Sequence, residues 1–161
     1  MPSDSRCCAI TPQRTYVRAA LDGCTLERAI SGRRKGNRMT LAGVLIGESL
    51  RVGGVLDGVV LTVTKVSRSD LGDIDAGQPL TWTFVHFEAA DEDADRLASG
   101  LERALERAGG WYCDFRNDDE TFVVFAGRTF RYPRGDEQGR AAATVYGRSV
   151  GVPDPQLDWP V

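Results

Sequence analysis

His86 is the single histidine among 161 residues, and Glu88 follows it two positions later. Residues two apart in a strand share a face, so the pair would set a base that titrates near neutral pH beside a carboxylate. Tyr112, Asp114 and Arg116 repeat that spacing. They would present a phenol, a carboxylate and a guanidinium on one strand face, a set suited to holding a polar ligand. Arg131, two short strands later, is a further ligand-binding candidate. Asp118, Asp119 and Glu120 lie between, and clustered oxygen donors suit a divalent cation. Each group also has a plainer reading. His86 stands in mid-strand among aromatic residues, an unusual place for a mobile general base, and a half-buried sheet histidine fits it better. Adjacent acids in a turn serve solubility and turn geometry, and Asp beside Arg on a strand is an ordinary surface ion pair. His86 and Glu88 are therefore weak catalytic candidates. Tyr112, Asp114, Arg116 and Arg131 are ligand-binding candidates, and neither a metal site nor a cofactor is expected.

Several chemistries lose support at once. No G-x-x-x-x-G-K-[ST] or G-x-G-x-x-G segment offers a phosphate cradle, and no H-E-x-x-H occurs. A single histidine does not build the common multi-histidine metal site. No G-x-S-x-G nucleophile elbow is present. Asp73, Asp75 and Gly77 resemble the start of a calcium loop, but the later ligands and the terminal glutamate are missing. Arg128, Arg131, Arg134, Arg140 and Arg148 would serve RNA only beside exposed aromatic rings on a sheet of the right pattern. That pattern is absent.

The elements that must position these groups centre on 109–133, which holds Trp111, Tyr112, Phe115, Phe122, Phe125, Phe130 and Tyr132. Alternation from Trp111 to Arg116 predicts a strand. Asn117 to Glu120 predicts a turn, Thr121 to Phe125 a second strand, Ala126-Gly127 a tight turn and Arg128 to Tyr132 a third strand, closed by Pro133. The result is a β-meander. Upstream, 40–54 reads as one short strand running into Gly53-Gly54, and Val59 to Ser67 and Leu80 to Glu88 read as strands. Asp91 to Arg107 predicts a helix, with a stripe of Ala94, Leu97, Ala98, Leu101, Ala104, Leu105 and Ala108 and a stop at Gly109-Gly110. A second helix is expected from Asp136 to Val150, its stripe being Ala142, Val145, Tyr146, Ser149 and Val150, with Gly151 and Pro153 beyond it. Trp159 is expected to pack back onto the body. The order predicts an α+β two-layer sandwich: about five mainly antiparallel strands, with both helices on one face.

Charge divides the chain. Residues 1–38 carry a net charge of +5 and 39–161 a net of −8, giving −3 overall. The basic segment reads as an N-terminal extension, disordered or non-native, ahead of one domain over 39–161. As a functional element it would be a nucleic-acid-binding arm. The acidic body speaks against nucleic acid and suits a basic protein partner. Cys7, Cys8, Cys24 and Cys113 fit neither a disulfide framework nor a zinc site. With no signal peptide or long apolar run in view, a cytoplasmic location is expected and a membrane role is not.

Three stretches carry a resemblance: WTFVHFE at Trp82 to Glu88, GWYCDFRNDDETFVVFAGRTFRYPRGD at Gly110 to Asp136, and YGRSVGVPDPQLDW at Tyr146 to Trp159. Together they are similar to a family of small bacterial proteins to which no activity is assigned, over about residues 49–159. The resemblance implies a domain that begins near Met39, and it brings no catalytic residues with it. The expected function is that of a non-enzymatic binding or protein-interaction module, regulatory or toxin-neutralising in kind. The alternatives are a small enzyme or small-ligand-binding protein with its site on the meander, and nucleic-acid binding through the basic arm.

Overall fold

The computed structural model describes residues 40–72 and 78–160. The basic segment 1–38, with Cys7, Cys8 and Cys24, and the calcium-like run 73–77 lie outside them. Six strands follow one another as β1 (Thr40–Ile46), β2 (Thr62–Asp70), β3 (Thr81–Ala90), β4 (Tyr112–Arg116), β5 (Glu120–Phe125) and β6 (Arg128–Pro133). Helix α1 (Ala94–Ala104) lies between β3 and β4, and α2 (Glu137–Ser149) follows β6. The strands form one sheet in the order β2-β3-β1-β4-β5-β6. Every pairing is antiparallel. The meander forms as the alternation predicts, and Gly127 takes the positive φ that its turn needs.

The α+β class and the antiparallel sheet match the sequence reading, while two details differ. The short strand at 40–46 is a full central strand, which brings the count to six. The helices also pack on opposite faces. Phe115, Phe122 and Val124 join Leu41, Leu45 and Phe87 in a core under Leu97, Ala98, Leu101 and Leu105 of the α1 region. Val123, Phe125 and Tyr132 point the other way, toward Ala143, Val152, Leu157 and Trp159. Strand β5 is buried at five of its six positions. It therefore lacks the one-sided alternation that would reveal a single covered face.

Each helix shows why its stripe forms. Five apolar residues of α1 are buried, Ala94, Leu97, Ala98, Leu101 and Ala104, at the expected 3–4 spacing. The helix ends at Ala104, before the predicted Gly109-Gly110, because the chain beyond it pairs elsewhere. Leu105 bridges Leu50, and Glu106 donates its N–H to the Ser49 carbonyl. Helix α2 is capped by Asp136, whose carboxylate accepts from the N–H groups of Gln138 and Gly139; such a cap is worth about 1 kcal/mol. Its predicted stripe is partly wrong. Ala142 and Val145 are exposed, and the buried line is Ala143 and Gly147, with Tyr146 and Val150 packed beside it. Small residues let this helix sit close: a methyl group at Gly139 would meet the Tyr132 Cβ at 2.4 Å, and one at Gly147 the Leu157 Cδ2 at 2.8 Å. Hydrophobicity alone does not flag such a stripe.

Strand β1 depends on one glycine. A Cβ at Gly43 would lie 2.6 Å from the Phe115 Cβ and 2.7 Å from the Phe87 ring. Its absence lets two phenylalanines from the flanking strands close over β1. Phe115 then stacks on Phe122 with ring centroids 4.7 Å apart. Burying each such ring contributes about 1.5–3 kcal/mol.

Candidate functional site

In an antiparallel sheet, directly paired residues send their side chains to the same face. Strand register therefore fixes what stands beside what. One row runs Lys65, His86, Val44, Asp114, Val123, Phe130. The next runs Thr62, Glu88, Ala42, Arg116, Thr121, Tyr132. Both lie on the face opposite α1. His86, Glu88, Tyr112, Asp114 and Arg116, from two strands distant in sequence, thus share one face. Between them runs β1, which contributes only Ala42 and Val44 in these rows. Two strand spacings separate β3 from β4, roughly 10 Å. Ala42 and Val44, both half-buried, therefore lie between His86 and Glu88 on one side and Asp114 and Arg116 on the other.

Several polar groups on this face make no side-chain hydrogen bond among the described residues. His86 is 4% exposed and its Nε2 makes no hydrogen bond. Thr121 is 1% exposed and its hydroxyl makes none. Glu88 and Arg116 are half-buried, yet neither takes part in an ion pair or a side-chain hydrogen bond among the described residues. The Asp114 carboxylate is half-buried and has no side-chain partner. Burial pushes its pKa up to about 6, against the pull of Arg116 and with a smaller push from Asp158. His86 moves the other way, as burial and the nearby Lys65 hold its pKa below the ordinary value. Buried polar atoms are normally satisfied, so His86 Nε2 and Thr121 Oγ1 are exceptions on this face, whereas Glu88, Asp114 and Arg116 are only half-buried.

The C-terminal segment packs on the same sheet face, beside Tyr112 and Tyr132. Tyr112 donates its hydroxyl to the Gln156 carbonyl at 2.9 Å, and Tyr132 donates to that of Pro160 at 3.2 Å. Trp159 sits between them, edge-on to Tyr112 with centroids 5.2 Å apart and 4% exposed. It packs back as the sequence suggests. Tyr112 is consequently a half-buried strut, and the burial of its phenol holds it far above the usual range.

Other candidates fall away from this face. Arg131 pairs with Phe122 in register and stands on the α1 side. There its guanidinium grips Glu120 through two bonds, of 2.8 and 2.5 Å, and lies 5.0 Å from the Phe122 ring centre. It is a structural clasp rather than a neighbour of Asp114. Glu120 is thereby occupied, and Asp118 and Asp119 shape the turn: Asn117 accepts the N–H groups of Asp119 and Glu120 on its side-chain oxygen. Among the described residues no group of three His, Cys, Asp or Glu side chains is placed to hold a metal ion. Cys113 is buried on the α1 side, where its thiol donates to the Val44 carbonyl at 3.4 Å.

His86 and Asp114 share a face but flank Val44, so they form no hydrogen-bonded proton-transfer pair. A separate shallow cavity of about 170 Å³ is bordered by Glu106, Trp111, Phe125 and Tyr146. It is smaller than the 300–1,000 Å³ typical of small-molecule pockets. Sequence reasoning missed Thr121, Ala42 and Val44. Thr121 looks like any β-branched strand residue, and the role of 40–46 depends on register. The period-two alternation of Ala42 and Val44 with Leu41, Gly43 and Leu45 was the available signal. No helix among the described residues is long and apolar enough to cross a membrane. No protein-family model, curated protein or solved structure matches this chain.

Proposed function

We propose that the protein is a non-enzymatic binding module whose ligand is a small polar molecule bound on the sheet face that carries Ala42 and Val44. One observation supports this reading above the others: the buried His86 Nε2 and Thr121 Oγ1 and the half-buried Glu88, Asp114 and Arg116, from three strands, share one sheet face without a side-chain hydrogen bond. A bound molecule would supply the missing hydrogen bonds, and the sites that best repay such contacts are those already shielded from water. A catalytic reading has less behind it. General acid–base work needs a base within hydrogen-bond reach of a second group or of a proton to be moved, and His86 touches neither Asp114 nor Glu88.

The test is a thermal-shift and calorimetric screen of the full chain against small polar compounds grouped by charge: neutral, anionic, cationic and zwitterionic. At least one group should raise the melting temperature of the unmodified protein. Ala42→Leu, which sets a bulky side chain between Glu88 and Arg116, should abolish that shift, and Arg148→Ala on the far side of α2 should leave it intact. A screen with no hit in any group, or hits indifferent to Ala42→Leu, would overturn the reading.

A further inference from the structure

Independently of any ligand, we infer that the C-terminal segment 156–160 is a pH-responsive strap, closed over Asp114 while that carboxyl is protonated and loosened when it ionises. Two anchors fix where the segment runs. Tyr112 donates its hydroxyl to the Gln156 carbonyl at 2.9 Å, and Tyr132 donates to that of Pro160 at 3.2 Å. Tyr132 pairs with Thr121, and Thr121 with Arg116, so the anchors stand in the rows on either side of the row of Asp114. Residue 158, midway between the two anchored carbonyls, crosses that row, and it is an aspartate. Tyr112 and Asp114 both feel the Asp158 charge, as this path requires.

The strap is lightly held. Residues 157–160 belong to no helix or strand, so the segment can lift without breaking a sheet ladder. Its hold is the two hydroxyl bonds and the packing of Leu157 and Trp159 against Tyr112, Phe125 and Gly147. What it covers is half-buried and makes no side-chain hydrogen bond among the described residues. The groups around Asp114 come from every element packed there. On β4, Arg116 favours the ionised carboxylate, while burial keeps the Tyr112 phenol and the Cys113 thiol neutral. Strands β1 and β5 face it with Val44 and Val123, and His86 and Lys65 lie further along the row. Strand β6 brings Tyr132, whose phenol is pushed up to about 12, and α2 brings Arg140, which acts on Tyr132. The strap itself brings Asp158, a like charge.

Ionisation therefore sets a poorly hydrated charge beneath the strap, with a second negative charge above it. Lifting the strap admits water to Asp114 and separates the two carboxylates. Burial raises the Asp114 pKa from 3.8 to about 6. Closure is accordingly favoured most below pH 3.8, and the preference is lost as pH rises through 6. Full relief of that shift on opening would multiply the open population up to about a hundredfold.

The experiment labels the full chain with 5-fluorotryptophan and follows Trp82, Trp111 and Trp159 by fluorine NMR. Trp159 reports on the strap. Trp82 and Trp111, which pack on each other with centroids 5.3 Å apart, are internal references. The open population at Trp159, quantified by saturation transfer, should rise tenfold or more between pH 5 and pH 8, with no matching rise at the other two. Asp114→Asn should keep Trp159 closed at pH 8. Asp158→Asn, at an exposed position, should lessen the opening there. A Trp159 population that does not change with pH overturns the inference. A rise shared by all three tryptophans also overturns it, because the whole domain would then be loosening. A rise that survives Asp114→Asn in full does the same. The pH series on the unmodified chain decides the matter even where a variant fails to fold.

Discussion

Asp114 and His86 give the domain two opposed dependences on pH. The Asp114 carboxyl titrates at about 6 in the folded chain, against an ordinary 3.8. Stability associated with its protonated form is full below pH 3.8 and is lost as pH rises through 6. His86 has its pKa lowered from 6.5. Its contribution is present above 6.5 and is lost as pH falls through the folded value. Replacing Asp114 by Asn removes the first effect. Asp114→Asn should therefore stabilise the domain at pH 8, by up to about 2 kcal/mol given the cost of a two-unit shift and partial solvent access. It should make little difference at pH 4, as urea unfolding at both values will test. A stabilisation that is the same at both pH values would count against a buried, unpaired carboxylate. Gly43 is the second residue on which much depends. Gly43→Ala forces a methyl between Phe115 and Phe87. We expect a loss of about 1–3 kcal/mol, the usual range for overpacking, measured by the same method.

At the level of elements, the C-terminal segment is a structural part of the site rather than a tail. Trp159 closes over Tyr112 and Phe125 and lies against Gly147 of α2. Trp159→Ala should cost about 3–5 kcal/mol and should expose the ring of Tyr112, seen as a shift in its fluorescence and a fall in the melting temperature. A loss below 1 kcal/mol would mean the segment is only loosely applied. This closure was legible from the sequence in outline, because a lone Trp near a chain end among Pro and Asp has few uses other than packing. The meander was legible for a stronger reason. Its turns carry Asn117 and Gly127 at the positions that demand them, and its strands alternate or run apolar as sheet burial requires. The placement of α2 was not legible. Its contact is made by Gly139, Ala143 and Gly147, whose value lies in what they leave out, and a stripe search weights the larger Val145, which faces solvent. The site was half legible. Period-two spacing grouped His86 with Glu88 and Asp114 with Arg116 on their own strands, and the same spacing carried no information on which strand would separate them.

Taken as a whole, the molecule is unevenly protected. Strand β2 lies at the sheet edge, and most of its residues are exposed, Val63 and Val66 among them. Lys65 and the register shift between Val63 and Lys65 stand there, the kind of feature that discourages edge-to-edge pairing. Strands β1, β4 and β5 lie inside the sheet, with β5 buried on both faces. Amide hydrogen exchange should therefore be slowest in β1, β4 and β5 and faster by orders of magnitude in β2. Uniform protection across all six strands would show that the sheet opens only as a unit.

The position of β1 also sets an order of assembly. Among the described residues it is the one strand joining β2 and β3 to the meander, and the Cys113 thiol meets the Val44 carbonyl across 69 positions of chain. Each half of the sheet can form from near neighbours, but the halves become one only when β1 has captured both. Contacts so distant in sequence carry a loop-closure cost before they yield any gain, and they slow folding. On a ribosome, β1 would emerge before both of its partners and would keep one edge unpaired, after β3 had joined, until β4 had been synthesised. Substitutions in β1 should then slow refolding more than those in β6, a contrast that stopped-flow chevrons would reveal. A strand that gathers both halves of the sheet would also be the step that commits the chain to its fold.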